Sequence, residues 1–333
     1  MKLLAVLAFL GVHTPAAAVL GLVGMGAVFM GLLFEAVTAQ NTHPTGLAAA
    51  TIVATDPTQV RAFQEDLLRP KAWLIGFWGL LQAAGTMQFL STRMHDAVSN
   101  FYMPHQVSTS APPNNVFPQY QRTPIYSTDT ISYFIASADA AGNIETVSAA
   151  YFYQDVPGLD SRLITESYLD EYSEDVMTCS SSIVAGTTGG YSGATALSSF
   201  TIGQGVLYPN RDYALVGWAV DGNCATVTIK GPDTGQARIP MIGNAVDKKY
   251  TSTGFVRWNR ESGFPTIPII NQASKSGTII ELVNNQAALT VQVTLIFQLL
   301  KAGHPLGIQP QVTAANSASV STRGKPANIL SVA

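Results

Sequence analysis

The chain has 333 residues and a formal net charge of −3, with 12% of residues charged against 47% hydrophobic; that is about half the charge of an ordinary soluble domain. Nucleic-acid binding needs a Lys/Arg footprint, and no basic cluster occurs, so direct nucleic-acid contact is not expected. The composition fits a surface covered by lipid or by further copies of the chain, or one solvated by neutral Ser, Thr, Asn and Gln.

From Leu3 to Phe34 there is no Asp, Glu, Lys or Arg. Met1-Lys2, LLAVLAFLGV and Ala16–Ala18 have the layout of a secretory signal peptide. The apolar run continues through VLGLVGMGAVFMGLLF, so the segment is expected to be retained. As a helix, Ala16–Phe34 would be about 29 Å long at 1.5 Å per residue, close to a bilayer core of about 30 Å. It reads as a transmembrane helix or as one buried in an assembly. Ala17/Gly21 and Ala27/Gly31 are spaced four apart, with Gly24 between them, as in helices that pack closely.

Asp56-Pro57-Thr58-Gln59 reads as a helix start, with Asp56 as cap, Pro57 at the first position and Gln59 as the reciprocal partner. That helix is expected to end near Leu68. Ala72 to Leu90 carries no charge, and Trp73, Phe77, Leu80, Ala84, Met87, Met94 and Val98 follow helical spacing. Trp73, Phe77 and Trp78 are expected to pack in an assembly or at a membrane interface. Residues 1–104 therefore read as an apolar helical region.

After Pro104 a Ser-, Thr-, Pro- and Asn-rich stretch leads into short β-rich runs separated by turn residues. The expected strands are Ile131–Ala136, Ile144–Tyr153, Val176–Val184, Tyr213–Val220, Ala225–Lys230, Thr253–Trp258, Thr266–Ile270, Thr278–Val283 and Leu289–Leu300. Asp221-Gly222 and Gly142-Asn143 are expected hairpin turns. The fold class is mainly β: a jelly-roll-type sandwich, single or compact double, over residues 105–301. Residues 302–333 read as an extended arm.

No strong catalytic motif emerges. His13, His43, His95, His105 and His304 lack metal-ligand spacing. Gly190-Tyr191-Ser192-Gly193 lacks the second glycine of a nucleophile elbow and reads as a turn. Asp233-Thr234-Gly235 occurs once, whereas an aspartic dyad needs two carboxylates; it too reads as a turn. Asp155, Asp160, Glu166, Asp170, Glu171, Glu174 and Asp175 form an acidic stretch opposed only by Arg162. Within it Asp170, Glu171, Glu174 and Asp175 are weak oxygen-ligand candidates for a metal, although a solvated acidic surface is the commoner outcome. Cys179 and Cys224 are the only cysteines. They are disulfide candidates, though unpaired buried thiols are more common. No cofactor and no enzyme activity are expected.

The pattern around YALVGWAV (Tyr213–Val220), IKGPDTG (Ile229–Gly235) and TVQVTLIFQLL (Thr290–Leu300) resembles jelly-roll major capsid proteins of tailless, membrane-containing phages. The resemblance covers about Ser127 to Lys301. It implies a multimeric capsomer in a virion shell, whose helical end faces an internal membrane. Such families usually begin with a short polar or amphipathic arm, and the apolar N-terminus departs from that. The alternative is a bacterial envelope protein, membrane-anchored, with an exposed β-sandwich binding domain.

Overall fold

The computed structural model describes residues 30–42, 50–53, 72–80, 85–91, 101–103, 123–125, 131–137, 142, 144–157, 161–184, 191–204, 208–222, 224–243, 251–283 and 290–306. They form a mainly β protein. The first half contains β1 (Met30–Thr42), β2 (Ala50–Val53), β3 (Ala72–Leu80), β4 (Gly85–Ser91), β5 (Phe101–Met103), β6 (Thr123–Ile125), β7 (Ile131–Ser137) and β8 (Ile144–Pro157). The second half contains β9 (Leu163–Ile164), helix α1 (Glu166–Tyr172), β10 (Ser173–Val184), β11 (Tyr191–Ala196), β12 (Thr201–Gln204), β13 (Asp212–Asp221), β14 (Thr226–Lys230) and β15 (Ile239–Ile242). It continues with helix α2 (Gly254–Ser262), β16 (Ile267–Asn271), β17 (Ile279–Val283) and β18 (Thr290–Leu300).

The first half makes two four-stranded sheets, ordered β1-β8-β3-β6 and β2-β7-β4-β5. The second makes a six-stranded sheet, β12-β10-β18-β13-β16-β9, and a four-stranded one, β11-β17-β14-β15. Setting aside β9 and β12, the eight remaining strands of the second half, ranked by sequence, give 1-8-3-6 and 2-7-4-5. The eight strands of the first half give the same two orders.

β18 shows how sequence makes these strands. Val291, Val293, Leu295 and Phe297 are buried while Gln292, Thr294, Ile296 and Gln298 alternate outward, as the two-residue period of a half-buried sheet requires. Its partner β10 buries Met177, Cys179 and Ile183. These side chains share one core with Val227, Ile229, Met241, Ile280 and Leu282 of the other sheet.

Several expectations are corrected. The helical reading of residues 1–104 fails wherever those residues are described: 30–42, 72–80 and 85–91 are strands. In β1, Leu33 to Val37 are all buried, at 3% exposure or less. A strand covered on both faces loses its alternation and cannot be told from a buried helix by periodicity. Gly31 lies on β1 opposite Val156, and Trp73, Phe77 and Trp78 lie on β3. Ala17, Gly21, Gly24, Ala27 and the expected 56–68 helix lie outside the described residues. The boundary at 104/105 cuts across a sheet, because β8 pairs with both β1 and β3. The arm beyond Leu306 is outside the described residues.

Thr253–Trp258, expected as a strand, belongs to α2. Phe255, Trp258, Asn259 and Ser262 are buried at the 3–4 residue spacing of a helix face. The helix ends at Gly263 in a left-handed conformation (φ 70°) that donates to Asn259 O. Asp221-Gly222 joins β13 to β14, which belong to different sheets, so it turns the chain between layers. The Gly142-Asn143 site likewise separates β7 from β8, in different sheets. Tyr191-Ser192-Gly193 opens strand β11.

The two halves share a packed aromatic seam. Trp258 of α2 lies 5.3 Å from Phe34 (β1), 6.2 Å from Trp78 (β3) and 5.6 Å from Trp218 (β13), centroid to centroid. Phe152 of β8 stacks on Phe264 at 4.4 Å. At Gly76 a Cβ would meet Ala150 Cβ and Trp258 Nε1, both at 3.3 Å. Polar groups continue the seam: Ser148 Oγ lies 3.0 Å from Thr38 Oγ1 and 2.6 Å from Thr226 Oγ1. Trp78 Nε1 donates to Thr226 Oγ1 at 3.2 Å. On edge strand β1, Ala36 N donates to Arg238 O and Leu32 O accepts from Ser161 N.

Candidate functional site

The densest polar arrangement lies at one end of the second half, where six side chains from separate elements converge. Arg162, just before β9, is fixed through its backbone: its N–H donates to Asp233 O and its carbonyl accepts from Ile269 N. Its guanidinium forks onto Asp212 at the start of β13, with Nη1 3.0 Å from Oδ1 and Nη2 2.8 Å from Oδ2. Nη1 also reaches Asp233 Oδ1 at 3.3 Å. Asp233 sits in the short 3-10 turn Pro232–Thr234, where Thr234 Oγ1 donates to the Gly231 and Ala237 carbonyls. Asp233 Oδ2 accepts from Asn271 N at 3.0 Å, and Asn271 Nδ2 donates to Asp212 Oδ1 at 2.8 Å.

His304 completes the cluster from the segment after β18. Its Nε2 lies 3.0 Å from Asp212 Oδ2, and its Nδ1 2.7 Å from the Tyr168 hydroxyl on α1. That hydroxyl also accepts from Leu306 N at 3.1 Å. The Nε2–H tautomer satisfies every contact: the ring donates to the carboxylate and accepts from the tyrosine. Arg162 Nη2 donates to Leu306 O at 2.8 Å. The cluster thereby holds the chain after β18 against α1.

Burial alone would push the Asp212 carboxyl up, but the Arg162 fork and charge, the Asn271 amide and the His304 ring hold it below its ordinary value. Burial likewise works against the Arg162 cation, and Asp212 and Asp233 outweigh it, raising the guanidinium. Most of these contacts run within the group, and Asn271 Oδ1 also accepts from Ala273 N at 2.9 Å. The Tyr168 hydroxyl is engaged by both Leu306 N and His304 Nδ1, so these side chains tie the segment after β18 to α1.

A second polar group sits where β11 meets the first half. Arg238 lies 4.0 Å over the Tyr191 ring and donates to Glu281 Oε2 at 2.8 Å. The Tyr191 hydroxyl donates to Thr38 Oγ1 at 3.3 Å, and burial pushes that phenol up to about 12. A largely apolar pocket of about 30 Å³, part-open to the surface, reaches into the second half between Met177, Cys179, Phe200, Tyr213 and Phe297, with Gln272 and Lys275 also in its wall.

The acidic stretch does not converge. Glu166 pairs with Arg260 of α2, Glu174 with Arg211, and Asp175 Oδ1 accepts from Val176 N. Asp170 and Glu171 are exposed on α1. Among the described residues no group of three or more His, Cys, Asp or Glu side chains is placed to hold a metal ion. Asp155 and Asp160 fall outside the described side chains. Cys179 and Cys224 are free thiols, both buried, the commoner of the two outcomes left open by the sequence; Cys179 lies on β10 and Cys224 just before β14, in different sheets. Burial pushes both up to about 12. His13, His43, His95 and His105 lie outside the described residues.

Sequence reasoning had not joined Arg162, Asp212, Asn271 and Tyr168 to His304. The one available signal was Arg162, the single base within the acidic run.

No helix among the described residues is long and apolar enough to cross a membrane, which leaves membrane-crossing strands unaddressed. No protein-family model matches the chain, and no curated protein matches it. Among solved structures, recombinant N-glycanase F (PNGase F) is 10% identical over 80% of this chain and 96% of its own, with a TM-score of 0.19. The STIV MCP, a viral major capsid protein, is 9% identical over 82% of this chain and 97% of its own, with a TM-score of 0.17. Likenesses of this strength establish neither fold nor function.

Proposed function

We propose that this chain is a structural, self-assembling shell protein: a viral-type major capsid subunit built from two jelly rolls in tandem. The carrying observation is the strand order, 1-8-3-6 in one sheet and 2-7-4-5 in another, which occurs once in each half. Eight antiparallel strands in two sheets with Greek-key crossings are the jelly-roll plan, which capsid subunits share with other proteins. Composition supports the capsid use. A chain with 12% charged residues gains by covering much of its surface with copies of itself in a closed symmetric assembly. The uncharged run before β1 has a composition suited to lipid or to neighbouring subunits. Its partners on this reading are further copies of the chain, with a membrane under the shell, and its place is the virion.

Native material tests this by sedimentation and negative-stain imaging after mild detergent treatment. Closed particles of uniform size are expected. A small micellar or monomeric species alone would overturn the proposal.

A further inference from the structure

The part-open pocket of the second half is apolar in its depth and along its mouth. Met177, Cys179, Phe200 and Phe297 in its wall are all buried. Leu197, partly buried, and Ile202, 38% exposed, extend that wall to the surface. Backbone bonds fix the rim: Leu197 N donates to Thr278 O at 2.8 Å, and Ser198 N to Lys275 O at 3.1 Å. The short turn Leu197–Ser199 is thereby tied to the segment that follows the turn Gln272–Ser274.

The polar side chains of the wall are engaged, with one exception. Asn271 Nδ2 donates to Asp212 and its Oδ1 accepts from Ala273 N. Gln272 Oε1 accepts from Asn210 N at 3.4 Å, and the Tyr213 hydroxyl accepts from Tyr208 N at 2.7 Å. Lys275, half-buried on the rim, is the one charged group in the wall. Among the described residues it pairs with no carboxylate. A pocket of about 30 Å³ is about a fifth of a cavity that encloses benzene, so it takes the last few carbons of a chain and no ring. Apolar walls with a single cation on the rim suit an unbranched tail that ends in an anion.

We propose that this pocket binds a short aliphatic carboxylate of the fatty-acid class. Its terminal carbons lie among Met177, Cys179 and Phe297, its middle between Leu197 and Ile202, and its carboxylate on the Lys275 ammonium. Burial of the tail supplies the affinity, and the ammonium selects the head group. The rim is already held by its backbone bonds, so little ordering opposes binding. The inference does not depend on the self-assembly reading.

Equilibrium dialysis of the full-length protein against radiolabelled hexanoate tests it. One saturable site per chain is expected, with a Kd of about 1 mM or tighter. Hexylammonium and hexan-1-ol carry the same tail and are expected to bind about fivefold more weakly or not at all. Lys275→Gln is expected to weaken hexanoate about fivefold, the scale of a partly exposed charge pair, and to leave hexan-1-ol unchanged. Ile202→Glu sets a like charge at the exposed mouth and is expected to prevent hexanoate binding. No saturable binding of hexanoate below about 10 mM overturns the proposal. Equal binding of hexylammonium overturns it too, as does undiminished hexanoate binding by Lys275→Gln with native circular dichroism. If either variant misfolds, the comparison of the three head groups on the wild-type chain decides.

Discussion

Arg162 and Asp212 meet in a two-pronged fork of 2.8 and 3.0 Å, and the guanidinium continues to the carbonyl of Leu306. The side chains are 17% and 4% exposed, so one ion pair anchors both the start of a central strand and the segment that follows the last one.

Arg162→Ala is expected to cost about 3 kcal/mol or more, because it leaves a buried carboxylate without its counter-ion. Guanidinium or urea unfolding of variant and wild type measures it. A loss under about 1 kcal/mol, the scale of a surface pair, would show that the fork is not structural.

The same carboxylate gives stability an acid limb. Its folded-state value lies below the ordinary one, so the unfolded chain takes up the proton first as pH falls. The stabilisation is full above about pH 4 and is lost as pH drops through the folded value. Asp212→Asn is expected to be less stable at neutral pH and to show a shallower acid limb. Equal slopes for both proteins between about pH 5 and 2 would contradict this.

Thiol titration follows from Cys179 and Cys224, both pushed up to about 12 by burial. A thiol that is almost wholly protonated at neutral pH reacts slowly. Folded protein is expected to give no fast reaction with a thiol reagent and denatured protein to give two equivalents. A single disulfide-linked species on a non-reducing gel would refute the free-thiol assignment.

Trp258 bridges Phe34 and Trp78 of the first half to Trp218 of the second. Trp258→Ala is expected to cost about 3–5 kcal/mol and to lower the stability of both halves together. Calorimetry checks this: a variant that lowers one transition and leaves another at the wild-type temperature would mean that the halves melt independently.

Removing residues 1–34 takes Leu33 and Phe34 out of the core and shortens β1, whereas removing 1–29 leaves every described strand whole. The shorter deletion is expected to keep a cooperative unfolding transition and the longer one to lose it, by circular dichroism. Equal behaviour of the two would remove β1 from the folding core.

The sequence determined the strands of the second half that have one face in the core and one outside. In β10 and β18, alternating burial leaves its own mark on the residue order, and both strands were legible to within a few residues. It did not determine β1 or β3. A strand covered on both faces is apolar throughout, so Ala72–Leu80 matches a helix as well as a sheet until its partners are known. Nor did it determine α2, where Phe255, Val256 and Trp258 are close enough together to suggest a strand, and only Asn259 and Ser262 complete the helical face. Asp221-Gly222 carries the local chemistry of a hairpin, yet the following strand pairs in another sheet. The site lay furthest from view. Arg162, Asp212, Asp233, Asn271 and His304 are spread over 143 residues of chain (162 to 304 inclusive) and carry no common spacing. Their hydrogen bonds exist because the strand order brings the ends of β9, β13, β16 and β18 together, and that order is decided by which sheets bury each other's apolar faces.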